Sequence, residues 1–97
     1  MITVRYKDTG KKRKLTVEGH GGGQKGTDII CAAASTLVIT LASALETGKV
    51  KHVKELRDGY AEIKSNRPES KTVFFTCVCG FLTLAQMYPD KYTVVTE

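Results

Sequence analysis

Apolar and polar residues alternate with period two through Ile2-Thr3-Val4-Arg5-Tyr6 and again through Leu15-Thr16-Val17. Such alternation marks strands with one buried face, and Asp8 and Gly10 between them are turn formers, so residues 2–17 predict a β-hairpin. Five of the nine glycines then fall between Gly19 and Gly26, where the entropy cost of fixing glycine argues for a loop. From Asp28 to Glu46 the chain is rich in Ala and Leu, with Thr27 or Asp28 placed as N-cap and Gly48 just beyond the end. That predicts a helix of about five turns, apolar nearly all round and therefore buried on more than one side. Val50–Leu56 and Tyr60–Ser65 are short alternating runs broken by Asp58-Gly59, a second hairpin. Residues 66–70 form a connector with Ser70 as a candidate cap. Thr72–Tyr88 begins with strand composition, but its length and the stop at Pro89 favour helix. Lys91–Thr96 closes as a strand. The order ββαββαβ predicts an α+β fold, a mostly antiparallel sheet with two long helices packed on it.

Composition narrows this further. At 97 residues, 41% hydrophobic and 26% charged, the chain has the balance of one globular domain over residues 1–97 and too little length for two cores. The net charge of +5 is local. Residues 1–25 carry seven Lys/Arg against Asp8 and Glu18, whereas the other 72 residues carry eight charges of each sign. Two stretches, 29–45 and 72–89, have no charge and at 17 and 18 residues approach the ~20 needed to span a bilayer. Ala, Ser, Thr and Gln dilute both, so they read as core elements. Three cysteines and a charged, alternating start at Met1–Lys7 argue against a disulfide-stapled secreted domain and for a reducing cytoplasm.

The candidate chemistry gathers around the glycine loop. His20 ends the second strand, and Cys31 sits in the first turn of the long helix, where free N–H groups and the helix dipole favour a thiolate. Eleven positions separate them, a span that folds back easily, so imidazole and sulfur can meet. Cys31 reads equally as a small buried hydrophobe and His20 as a polar strand end. Asp28 is placed to cap the helix, although its charge opposes thiolate formation. Ser35 lies one turn beyond Cys31 on the same helix face. Cys77 and Cys79, two apart on a helix, point away from each other and lack companion ligands, so no metal is expected. Gly21-Gly22-Gly23 lacks the ending of a phosphate-binding loop, and no cofactor is expected. His52 reads as a solvated strand residue.

The run Gly19-His20, a glycine-bearing loop, Gly26-Thr27-Asp28-Ile29-Ile30-Cys31-Ala32-Ala33-Ala34-Ser35, a second long apolar helix and a last strand resemble, across the whole chain, the bacterial ribosomal-processing cysteine protease family, Prp. The resemblance implies a dyad of His20 as general base and Cys31 as nucleophile, with Gly19, Gly26, Asp28 and Ser35 at supporting motif positions. It also implies a homodimer and a substrate: the N-terminal extension of the twenty-seventh large-subunit ribosomal protein, cut after a Phe-containing hydrophobic stretch. The competing reading is a non-catalytic ribosome- or RNA-binding module that uses the basic hairpin residues Lys11, Lys12, Arg13 and Lys14.

Overall fold

The computed structural model describes residues 1–21 and 28–97. Its elements are β1 (Ile2–Asp8), β2 (Arg13–Gly19), α1 (Ile29–Thr47), β3 (Val53–Arg57), β4 (Tyr60–Ser65), α2 (Ser70–Met87) and β5 (Tyr92–Thr96). The expected α+β order ββαββαβ is found. The five strands form one sheet in the order β3-β4-β2-β1-β5. All neighbours are antiparallel except β1 and β5, which run parallel from Ile2↔Tyr92 to Tyr6↔Thr96.

Period-two alternation gives the sheet one apolar face: Ile2, Val4 and Tyr6 of β1, Leu15 and Val17 of β2, and Ile63 of β4 are buried. Both helices cover this face, and their buried residues join one cluster in which Phe74 and Phe81 of α2 are completely enclosed. Tyr6 stacks on Phe74 with ring centroids 6.1 Å apart. By length and composition alone both helices could cross a membrane; here each lays its stripe of buried residues on the sheet.

Four local expectations are corrected. The first hairpin turns at residues 9–12, because Asp8, expected as a turn former, is the last residue of β1. Ser70 does not cap α2: Glu69 holds that place without a side-chain bond. The Ser70 hydroxyl instead donates to the Arg67 carbonyl and accepts from Arg13. Arg13, expected on a basic surface, is 3% exposed. Its guanidinium pairs with Asp8 at 3.5 Å and donates to the Arg67 carbonyl at 3.1 Å, tying the first hairpin to the entry of α2. Of the basic run, the solvent holds Lys11, Lys12 and Lys14.

The fourth correction lies at the end of α1. Gly48 has right-handed backbone (φ −77°), and Lys49 takes the left-handed position at φ 56°. The Lys49 N–H donates to the Glu46 carbonyl and the Val50 N–H to the Leu45 carbonyl, the paired closure usual at helix C-termini, shifted one residue past the glycine. A Cβ in that conformation is strained. Lys49→Gly is therefore expected to stabilise the protein by roughly 0.5–1 kcal/mol, read as a higher denaturant midpoint at unchanged slope.

Candidate active site

The sheet order sets where the chemistry falls. Pairing of β2 with β4 brings the end of β2 beside the β3–β4 turn, and the Gly19 N–H donates to the Gly59 carbonyl at 2.9 Å. Gly19 itself is at φ 113°, and a side chain there would run into the Met1 carbonyl, 2.2 Å from the ideal Cβ position. Only glycine passes under that strand end. His20 follows, exposed, with its imidazole lying on Gly59. A cleft of about 430 Å³ opens between this corner and α1. Gly19, His20, Cys31 and Ser35 all line it, together with Arg57, Asp58, Gly59 and Tyr60 from the β3–β4 turn. Its apolar wall is made by Val38 and Ile39 of α1 facing Leu56 and Ala61.

Two ties hold the first turn of α1. Asp28 is the N-cap: its carboxylate accepts from the N–H groups of Ile30 at 3.0 Å and Cys31 at 3.1 Å, and its carbonyl accepts from Ala32. Tyr92 at the start of β5 donates its hydroxyl to the Ile30 carbonyl. Burial pushes the Tyr92 hydroxyl up to about 12, with the neighbouring Cys31 and Asp28 adding to the effect, so it stays a donor at any ordinary pH.

Cys31 is half-buried, and its sulfur accepts the Gly21 N–H at 3.1 Å. That bond pulls the thiol down, but burial, a hydrogen bond to Asp28 and the charges of Asp28 and Asp58 outweigh it. The net result is a thiol held above the ordinary value of 9.0. A thiolate favoured by the helix N-terminus is thus corrected: the capping carboxylate offsets the dipole and also occupies the N–H groups of residues 30 and 31, which cannot then serve an oxyanion. The donor aimed at the sulfur is Gly21, from the other side of the loop.

Thiol reactivity should follow this arrangement. Cys77 is buried and pushed up to about 12 by burial, whereas Cys79 is only partly buried. Alkylation depends on the thiolate, so Cys31 is expected to react before Cys77, at a rate that climbs as pH rises through and above 9.0. Mass spectrometry of partially labelled folded protein, with equal labelling of Cys31 and Cys77 as the contrary result, checks this.

Gly26 and the rest of residues 22–27 lie outside the described residues, and with them most of the expected glycine loop. What sequence reasoning missed is the far wall, Asp58, Gly59 and Tyr60, and the Gly21 N–H as donor to the sulfur. Asp58-Gly59 was recognisable as a turn, but nothing local says that this turn meets a strand end 39 residues earlier.

Comparison with known proteins identifies the fold and the family. The chain is similar in structure to the S. aureus ribosomal-processing protease Prp carrying a covalently linked product peptide, at TM-score 0.88 and 24% identity over the whole of both chains. The same S. aureus protease with a substrate peptide aligns at TM-score 0.84 and 23% identity, again over both whole chains. A Streptococcus mutans protein, SMU.848, aligns at TM-score 0.77 and 29% identity over the whole of this chain and 96% of the other. Among curated proteins, none matches by sequence. The family model for cysteine protease Prp matches residues 1–93, and with a cysteine, a histidine and a peptide-sized cleft at one corner of the sheet, the chain belongs to the Prp family of cysteine proteases.

Proposed function

We propose that this protease removes the N-terminal extension of the twenty-seventh large-subunit ribosomal protein, cutting after a hydrophobic stretch that contains Phe, with Cys31 as nucleophile and His20 as general base. The observation that carries the reading is that His20 and Cys31 line one cleft whose Val38, Ile39, Leu56 and Ala61 wall suits an extended apolar peptide. The S. aureus protease of the same fold holds substrate and product peptides.

A thiol above 9.0 is protonated at neutral pH, so proton transfer accompanies attack. His20 takes the S–H proton as the sulfur bonds to the scissile carbonyl carbon, and the carbonyl electrons move onto oxygen. The Gly21 N–H, 3.1 Å from the sulfur, is released from it and meets that oxygen, which forms beside the new C–S bond. Collapse expels the amine, which takes its proton from His20. Water, deprotonated by the same imidazole, then hydrolyses the thioester.

Ser35, one turn along from Cys31 on the cleft wall, and Gly19, under the strand end, support the pair by position. Asp28 fixes the helix start, and Gly26 completes the matching motif. A homodimer is part of the proposal, because Ile39, Phe75 and Leu82 leave large apolar side chains in solvent at 59%, 62% and 45% exposure. Cytoplasmic residence fits three free cysteines. Burial of Arg13 removes one of the four basic residues the RNA-binding alternative invoked and leaves Lys11, Lys12 and Lys14 exposed for it.

Incubation with a peptide spanning the extension, followed by mass spectrometry, tests the assignment. A single cut after the Phe-containing stretch, abolished by a thiol-alkylating reagent and indifferent to moderate salt, is expected. An uncut peptide, or binding lost with salt and untouched by alkylation, would overturn it.

A further inference from the structure

Two hairpin turns in this fold use glycine at nearly the same backbone conformation. Gly10 between β1 and β2 is at φ 85°, and Gly59 between β3 and β4 is at φ 73°. A side chain on either strains the backbone equally, but the space around them differs. An ideal Cβ on Gly10 meets nothing within 4 Å. On Gly59 it would lie 2.6 Å from Nε2 of His20, 3.1 Å from Cε1 and 3.5 Å from Cδ2. The imidazole thus rests directly on the Gly59 Cα, with its Nε2 edge in the space a side chain would fill.

The backbones are joined at the same point. The Gly19 N–H donates to the Gly59 carbonyl, so the residue before His20 is fixed to the residue under its ring. His20, Gly59 and Cys31 all face the same cleft. His20 is exposed, and an exposed imidazole has several rotamers unless a surface selects one. Gly59 offers that surface only because it has no side chain.

We propose that Gly59 is a positioning residue for His20: the bare backbone of the β3–β4 turn is the seat that holds the imidazole in the orientation from which it takes the Cys31 proton. The proposal rests on the reading of His20 as general base given above. A methyl group at residue 59 displaces the ring by the order of 1 Å, and misplacement on that scale lowers turnover about 10- to 100-fold.

The test compares Gly59→Ala with Gly10→Ala, which share the backbone cost and differ in the contact. Gly59→Asn, whose side chain tolerates φ above zero better than alanine, serves if the alanine variant folds poorly. Two readouts are taken on each: cleavage of the extension peptide, and an NMR pH titration of the imidazole protons. The chain has two histidines; His52 precedes β3 at its far end, about 20 Å from the turn by strand geometry, and serves as internal reference.

The expected result is a 10- to 100-fold fall in kcat for the residue 59 variants, with the His20 resonances moved and those of His52 unmoved, while Gly10→Ala cleaves at the original rate. Unchanged cleavage by Gly59→Ala, an equal loss in Gly10→Ala, or a loss with the His20 resonances in place each overturns the seat. His20→Ala is measured alongside. Full cleavage by that variant would remove His20 from the reaction and refute the role assigned to it under the proposed function, whereas the NMR comparison still decides whether Gly59 orients the ring.

Discussion

Cys31→Ala is expected to fold as the parent does and to cleave nothing. The substitution removes one sulfur from a half-buried position at the edge of the core and releases the Gly21 N–H toward the cleft. Those losses amount to roughly 1–2 kcal/mol, a fraction of what a domain of this size has in reserve. The helix start depends on Asp28 and Tyr92, whose bonds to the N–H groups of residues 30 and 31 and to the Ile30 carbonyl involve backbone atoms that the substitution keeps. Chemistry, by contrast, loses its covalent route entirely. Thermal unfolding and mass spectrometry of the extension peptide, run on one preparation, separate the two effects. Product at the parental rate in a folded Cys31→Ala sample would remove this cysteine from the mechanism.

His20→Ala is expected to lower kcat by about 10²- to 10⁴-fold, the usual contribution of a positioned base. The side chain is exposed, so little stability goes with it. The sign of the remaining pH dependence is informative. Because Cys31 is held above 9.0, the variant without an internal base depends on the small fraction of thiol already ionised. Its residual rate should therefore rise with pH through 8 and 9, by up to about tenfold per unit while the thiolate is scarce. A residual rate that stays flat with pH would mean another group takes the proton, and near-parental turnover would exclude His20 as the base.

The architecture was readable from two periodicities. Alternation in Ile2–Tyr6 and Leu15–Val17 marked strands that do bury those residues, and Asp58-Gly59 marked the turn whose glycine does sit at positive φ. Asp28 was identified as a cap and holds two N–H groups. The failures share a cause, which is that local signals were followed where a neighbour decided the outcome. Counting back by twos from Val17 and Leu15 reaches Arg13, so the inward face was marked in the sequence; four consecutive basic residues suggested a surface instead. The Arg67 carbonyl and the Ser70 hydroxyl that accept from its guanidinium make that burial possible, and both are more than 50 positions away. Gly48 drew attention from Lys49 because glycine is the commoner left-handed residue. At the site, His20, Asp28, Cys31 and Ser35 stood out within 16 residues. The wall from residues 56–61 did not, because its approach depends on β4 joining β2 and no local pattern encodes which strands become neighbours.

The parallel strand β5 carries a consequence for the life of the chain on the ribosome. Synthesis runs from the N-terminus, and β5 is the last of the seven elements to emerge. It inserts beside β1, some 90 positions upstream, in a pairing that no hairpin can template. Until it docks, Tyr92 is absent from the Ile30 carbonyl and the helix turn bearing Cys31 lacks its anchor to the sheet. Both hairpins and the long helix can form earlier from nearby contacts, whereas the β5 tie must wait for the end of the chain. The turn that bears Cys31 is therefore tied to the sheet through Tyr92 only when the last strand closes the fold.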